Sequence, residues 1–138
     1  MKILSITAQK VDSTGSGVFL TELVKGFKKA GHQQAIICGT VKEDTIHLPD
    51  GVAVYPMYYK SDEVPFPVCG MSDEMPYEST RYCDMTEEMT EQLFTAFRKK
   101  IHQAVEEFKP DVIQVEGTEF LHASAMLNAG NSNNIPTV

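Results

Sequence analysis

Apolar and polar residues at the start of the chain follow a strand–helix–strand pattern. Residues 2–7 form a short apolar, β-branched run that predicts a strand, and small and polar residues follow from 8 to 17. Apolar side chains then recur at three- and four-residue spacing: Leu20, Leu23, Val24 and Phe27. This spacing predicts a helix that packs one face on a sheet and ends at Gly31. The continuous apolar run at 34–38 predicts a strand buried on both faces.

The next part of the chain has a weaker pattern. Residues 52–55 predict a third strand, entered through the turn at 49–51, and residues 45–48 are a weaker strand candidate. From residue 56 to residue 84, prolines, aromatics and methionines follow one another without helical or strand periodicity. A loop this long inside a compact domain is usually a binding loop, a lid or disordered, and its aromatic residues argue against plain disorder.

A long helix is predicted between Thr86, as its N-cap, and Pro110, because the residue before a proline disfavours the helical conformation. Its apolar stripe repeats every three or four residues: Met89, Leu93, Phe97, Ile101, Val105 and Phe108. Residues 111–115 predict a fourth strand and residues 120–129 a third helix. An apolar run at 135–138 begins another strand.

This alternation of strands and helices predicts a Rossmann-like, doubly wound parallel sheet, formed by one domain over residues 1–138. Strands normally run for about five or six residues, whereas the final apolar run stops after residue 138. We therefore expect this domain to be part of a longer protein. Ligands of such sheets bind at the carboxyl ends of the strands near the point where strand order reverses. The loops after the first, second and fourth strands are the candidate binding loops.

Charge and composition narrow the classes of function. The net charge of −7 disfavours binding to a phosphate backbone, so nucleic acid is not an expected partner. No apolar run approaches the length of a membrane span or a secretory signal, which predicts a cytoplasmic protein. Three lysines on the first helix, Lys25, Lys28 and Lys29, can touch an anionic membrane, although three are few and an ordinary solvated face is the favoured interpretation.

Metal and disulfide chemistry are not expected. The three cysteines are widely spaced, contain no C-x-x-C pair and are interpreted as reduced structural thiols. No histidine and carboxylate spacing typical of a metal site occurs among the four histidines.

The segment Gly15, Ser16 and Gly17 comes just before the predicted first helix. Free N–H groups and the helix dipole at such a position favour an anion, for example a diphosphate. Alternatively, the glycines only allow a turn and a close helix start. A dinucleotide-dependent oxidoreductase is disfavoured because G-x-G-x-x-G is missing and residues 39–42 supply no acid for the ribose.

Two further segments hold candidate chemistry. After the fourth strand, Glu116, Glu119 and His122 can support acid–base catalysis or bind sugar hydroxyls; alternatively, they mark a helix start capped by Thr118. In the long loop, Arg81 can pair with a carboxylate or phosphate, and aromatic and methionine side chains can contact a sugar ring or lipid. That loop can equally pack on its own aromatics.

Several segments together resemble family 4 glycosyltransferases of the GT-B fold. These are residues 1–7 (MKILSIT), 14–18 (TGSGV), 29–32 (KAGH), 108–113 (FKPDVI) and 134–138 (NIPTV). The loop at 70–77 (GMSDEMPY) and the segment at 117–122 (GTEFLH) resemble bacterial members linked with polysaccharide and cell-surface glycan assembly. The resemblance spans nearly the whole chain.

The resemblance implies the N-terminal, acceptor-side domain of a retaining glycosyltransferase, with no cofactor. Its implied partners are a nucleotide-sugar donor and a glycan or lipid-linked acceptor, and a C-terminal domain holding the donor site lies outside the chain, so the fragment alone should be inactive. The implied donor-phosphate residues are Gly15, Ser16 and Gly17. The implied acceptor-binding residues are Met71, Asp73, Tyr77, Arg81, Gly117 and Thr118. Glu119 and His122 are the implied catalytic residues.

This chain departs from the family pattern at two places. Ser16 splits the usual adjacent glycine pair, and Gln114 and Glu116 stand where many relatives carry histidine. A second class of function therefore stays open, namely a non-catalytic α/β domain that binds a phosphate ligand or regulates a partner.

Overall fold

A computed structural model describes residues 1–11, 15–66, 84–117, 128 and 133–138. Over these residues the elements follow one another as strand, helix, strand, strand, helix and strand. They are β1 (Lys2–Ile6), α1 (Gly15–Lys29), β2 (Gln33–Val41), β3 (Ala53–Tyr59), α2 (Glu87–Phe108) and β4 (Val112–Val115). The α/β alternation predicted from the sequence is confirmed for this part of the chain.

The four strands form a parallel sheet in the order β3-β2-β1-β4. In the register of the central strand, Ile6 pairs with Ile37 of β2 on one side and with Val115 of β4 on the other. Beyond β4, Thr137 forms a parallel bridge with Ile113, at the position of the predicted last strand. The strand order reverses between β1 and β4, which is the switch point of a Rossmann-like sheet.

The two helices cover opposite faces of the sheet, so the fold is doubly wound. On one face α2 buries its apolar stripe against alternate residues of the strands. This larger core includes Leu4, Ile6, Ala35, Ile37, Met57, Leu93, Phe97, Ile101 and Ile113. On the other face, Leu20 and Val24 of α1 pack with Val11, Ile36 and Cys38. The prediction that β2 is buried on both faces is confirmed, since residues 34–40 are all buried.

The predicted ends of α2 are also confirmed. The Thr86 side chain accepts a hydrogen bond from the Met89 backbone N–H at 3.1 Å, as an N-cap does, and Glu87 and Glu88 occupy the first turn. At the other end Lys109 adopts a left-handed conformation (φ 54°) and donates its N–H to the Val105 carbonyl, which stops the helix before Pro110.

The structure corrects three predicted boundaries. Strand β3 continues through Pro56 to Tyr59 where the sequence predicts a loop, because β3 pairs only with β2 in the described sheet and a proline is tolerated at such an edge. Residues 45–48 form no strand; instead Ile46 and Leu48 pack against the core beneath α1. Strand β2 extends to Val41, beyond the predicted end at residue 38.

Some predictions fall beyond the residues that the structure describes. The predicted helix at 120–129 apart from residue 128, which is helical, most of the long loop at 56–84, and two of the cysteines, Cys69 and Cys83, lie in the undescribed ranges. Cys38 is buried, as expected of a structural cysteine. Among the described helices, none is long and apolar enough to cross a membrane.

Tyr55 joins the edge strand β3 to the C-terminal half of α2. Burial raises the pKa of the Tyr55 phenol, and the charge of the Glu107 carboxylate, which also accepts a hydrogen bond from the phenol, raises that pKa further. The contact therefore favours the neutral phenol in the folded chain.

Replacing the helix cap tests how α2 begins. We expect Thr86→Ala to lower the free energy of unfolding by about 1 kcal/mol, because the Met89 N–H loses its acceptor. Thr95→Ala, on the same helix but away from its start, is the control and should change stability by no more than about 0.5 kcal/mol. Urea denaturation measures both, and equal losses in the two variants would contradict the cap.

The Tyr55–Glu107 contact predicts a pH dependence. Because the pKa of Tyr55 is higher in the folded than in the unfolded chain, its contribution to stability is complete below about pH 10 and is lost as the pH rises through the raised pKa. Glu107→Gln should lower the pKa of Tyr55 while leaving the effect of burial. Absorbance titration of the phenolates in the wild type and in Glu107→Gln measures this change in the pKa of Tyr55. Identical titration curves for the two proteins would contradict the contact between Tyr55 and Glu107.

Candidate functional site

The candidate site lies at the carboxyl ends of the parallel strands, next to the switch point between β1 and β4. The ends of these two strands are joined directly, because the Glu116 N–H donates to the Ile6 carbonyl at 2.9 Å. Helix α1 follows β1 and begins at Gly15, and Gly117 follows β4. Segments predicted separately from the sequence, the glycine segment and the Glu116–Gly117 pair, therefore follow neighbouring strands at one edge of the sheet.

The first turn of α1 can attract an anion. It contains Gly15, Ser16 and Gly17 and has no acidic side chain, so no carboxylate of that turn competes for its N–H groups. The glycines lie inside the first turn rather than just before it, which corrects the predicted helix start. The Thr21 hydroxyl, one turn further along α1, donates a hydrogen bond to the Gly17 carbonyl at 2.8 Å. This bond stabilises the first turn from within the helix.

The end of β1 is packed tightly against β2 and β3. Gly39 of β2 has no side chain, and in the space this leaves the Tyr59 ring crosses β2 and its hydroxyl donates to the Ala8 carbonyl at 3.1 Å. A Cβ atom at Gly39 would lie 2.6 Å from the Tyr59 hydroxyl and would overlap the ring and the Ala8 carbonyl oxygen. The Gly39 N–H also donates to the Gln9 carbonyl at 3.2 Å. The start of the β1–α1 loop is thus fixed by β2, which neighbours β1, and by β3, which lies one strand further along the sheet.

A largely buried cation lies in the same loop. Lys10 forms an ion pair with Asp44 at 3.3 Å, and its side chain is only 12% exposed. Asp44 belongs to the connection after β2, so the ion pair ties two loops together at the carboxyl edge of the sheet. Partial burial strengthens such a pair relative to one in open solvent.

At the end of β4, Gln114 and Glu116 interact with one another. The Gln114 amide donates to the Glu116 carboxylate at 2.5 Å, and both side chains are half-buried. Gly117 follows in a left-handed conformation (φ 81°), which glycine adopts without strain.

The structure describes some of the predicted site residues and not others. Gly15, Ser16 and Gly17 lie in the first turn of α1, and Gly117 follows β4. The remaining residues fall outside the described ranges: Met71, Asp73, Tyr77, Arg81, Thr118, Glu119 and His122. Their roles stay predictions.

Sequence reasoning missed the packing around Gly39 and the ion pair of Lys10 with Asp44. A glycine within an apolar strand is a signal of close approach by another part of the backbone, and residues 39 and 40 could have been included in β2 on that ground. Nothing in the sequence around Tyr59 indicates its partner, because Ala8 lies 51 positions away.

By sequence, the chain matches no protein-family model and no curated protein. Its fold is similar to structures of a deacetylase from the teicoplanin biosynthesis pathway. The teicoplanin complex shares 13% identity and a TM-score of 0.59 over 99% of this chain and 68% of that chain. The complex of the deacetylase with bog shares 13% identity with this chain and has a TM-score of 0.56; the match covers 99% of this chain and 65% of that chain. At such identity the similarity shows the α/β fold alone.

A third structure, the glycosyltransferase SsfS6 of Streptomyces sp. SF2575, shares 16% identity and a TM-score of 0.45. The match covers 38% of the SsfS6 chain, and this structural similarity is too low to support a conclusion about function. The chain spans about two thirds of the length of the deacetylase structures and a smaller part of SsfS6.

Two glycine substitutions test the packing at the carboxyl edge. Gly39→Ala should destabilise the fold by at least the roughly 1–3 kcal/mol typical of overpacking, because its methyl group meets the Ala8 backbone. Gly26→Ala in α1 meets no atom within 4 Å and should instead add about 1 kcal/mol through helix propensity. Thermal and urea denaturation of both variants measure this; a neutral Gly39→Ala would contradict the close approach.

Proposed function

We propose that the chain is the N-terminal domain of a retaining glycosyltransferase, which transfers a sugar from a nucleotide-sugar donor to a glycan or lipid-linked acceptor. The proposal begins with the sequence resemblance to GT-B enzymes of family 4. The observation that carries it further is the position of the glycine segment and of Glu116 and Gly117, which follow the two strands on either side of the switch point. Ligands of open α/β sheets bind in that crevice.

The first turn of α1 suits the phosphate end of a nucleotide sugar. Its backbone N–H groups face no acidic side chain of their own turn, and the helix dipole favours negative charge at this end. When the donor bond breaks, negative charge grows on the leaving diphosphate. Donors that are already oriented stabilise such charge at low cost in reorganisation.

The start of α2 differs from the start of α1 in its suitability for an external anion. Helix α2 begins with the Thr86 cap and carries Glu87 and Glu88 in its first turn, so its N-terminal charge is already compensated. Of the two helix starts in the described part of the chain, that of α1 is therefore better suited to an external anion.

The acceptor is proposed to bind after β4 and in the long loop. Gly117, with Thr118, Met71, Asp73, Tyr77 and Arg81, would contact it, and Glu119 and His122 would act in catalysis. This part of the proposal is based on the resemblance and on the position of Gly117 at the switch point.

A charge placed in the first turn of α1 tests the proposal in the full-length protein. Ser16→Glu should leave the fold as stable as the wild type, because a carboxylate suits a helix N-terminus, yet it should repel the donor diphosphate. We expect KM for the donor to rise about tenfold or more, the effect of losing about 1.4 kcal/mol of binding. Transfer is assayed with a panel of nucleotide sugars.

Gly26→Glu is the matched control, since it adds the same charge to an open position of the same helix. It should leave donor KM unchanged. Glu119→Gln and His122→Asn should lower turnover with the fold retained. A full-length protein that neither binds nor hydrolyses nor transfers from any nucleotide sugar refutes the proposal, and phosphate-ligand binding without sugar transfer favours the regulatory alternative.

A further inference from the structure

The contact between Tyr59 and the end of β1 spans the whole width of an intervening strand. Tyr59 lies at the end of β3, its partner Ala8 lies just after β1, and β2 separates the two. The hydrogen bond is buried, and the Tyr59 side chain is 1% exposed. A hydrogen bond in such a low-dielectric setting is stronger than one in water, and breaking it leaves a buried carbonyl without that partner.

The Tyr59 side chain also lies between the connection that follows β1 and the connection that follows β3, and the proposed function uses both connections. On the β1 side, Ala8 is followed by Gln9, whose N–H donates to the Thr7 hydroxyl at 3.1 Å and whose carbonyl accepts from the Gly39 N–H. This short stretch is fixed directly after β1, on the side of the chain that leads to the first turn of α1.

On the β3 side, the chain turns immediately after Tyr59. The Ser61 hydroxyl donates to the Tyr58 carbonyl at 2.7 Å, and the Ser61 N–H donates to the Val64 carbonyl at 3.2 Å. Val64 is fully buried and forms a parallel bridge with Tyr59. Tyr59 is therefore held by a compact turn and cannot move freely away from Ala8.

We propose that Tyr59 is a positioning residue for the anion-binding turn of α1. Its hydroxyl, reaching across Gly39, fixes the Ala8 carbonyl and so the path of the chain from β1 toward Gly15. The inference rests on the proposed function for the identity of the anion, a diphosphate. It assigns to Tyr59 an effect on anion affinity without any contact between Tyr59 and the anion.

Tyr59→Phe tests the inference, because it removes the hydroxyl and keeps the ring that fills the space over Gly39. Tyr58→Phe is the matched control: it makes the same chemical change at the neighbouring residue of β3, whose side chain points to the opposite face of the sheet. Backbone hydrogen exchange is measured by mass spectrometry on peptides that cover residues 7–11 and, as a reference for global unfolding, residues 93–101 of α2.

In Tyr59→Phe we expect exchange at residues 7–11 to accelerate about fivefold, as the loss of one net hydrogen bond implies, with the α2 peptide less affected. Inorganic pyrophosphate, titrated by calorimetry, should bind about fivefold more weakly than to the wild type. Tyr58→Phe should match the wild type in both measurements.

Equal acceleration at residues 7–11 and in α2 would overturn the inference, because it would show a general loss of stability. Unchanged pyrophosphate affinity with faster local exchange would overturn it as well. A wild-type chain that binds no pyrophosphate would refute the diphosphate contact of the proposed function, and the exchange comparison would still decide whether Tyr59 positions the loop.

Discussion

The close approach of three parallel strands at Gly39 constrains the carboxyl edge of this sheet. Neighbouring strands lie about 4.8 Å apart, so a side chain from β3 reaches the end of β1 only if β2 leaves room for it. Gly39 leaves that room, and the Tyr59 ring fills it. The consequence is a rigid junction in which the end of β1, the end of β2 and the turn after β3 hold one another.

This rigidity matters because loops at a switch point usually do the binding. An anion is held by several N–H groups only when those groups already point toward it, and ordering a free loop on binding costs free energy. Here the Tyr59 hydrogen bond, the Gly39–Gln9 bond and the ion pair of Lys10 with Asp44 hold residues 8–10, at the start of this loop, in place. The fold thereby fixes the chain directly after β1, next to the candidate site in the first turn of α1.

The two faces of the sheet also differ. The face under α2 is apolar throughout, whereas the opposite face carries Ser5 on β1 and Gln114 on β4, which pair in register. The Ser5 hydroxyl is buried and has no hydrogen-bond partner among the residues that the structure describes, and an unpaired buried hydroxyl lowers stability. Proteins tolerate such departures from an apolar core more often near functional sites, and Ser5 pairs in register with Gln114 of β4, at the switch point between β1 and β4.

Much of the fold was predictable from local pattern. The stripe and the Thr86 cap of α2, the stop before Pro110 and the doubly buried β2 follow from periodicity and backbone sterics, which act over a few residues. At Pro56 the sequence predicts the end of β3, whereas the strand continues to Tyr59. The sequence alone does not show that β3 has a neighbouring strand on only one side, where a proline is tolerated. The sequence alone also does not show the path of the chain at Ala8, or that the start of α1 and Gly117 follow neighbouring strands of the sheet. These features depend on strand order and on contacts between residues far apart in the sequence, such as Tyr59 with Ala8, so they were decided when the sheet assembled.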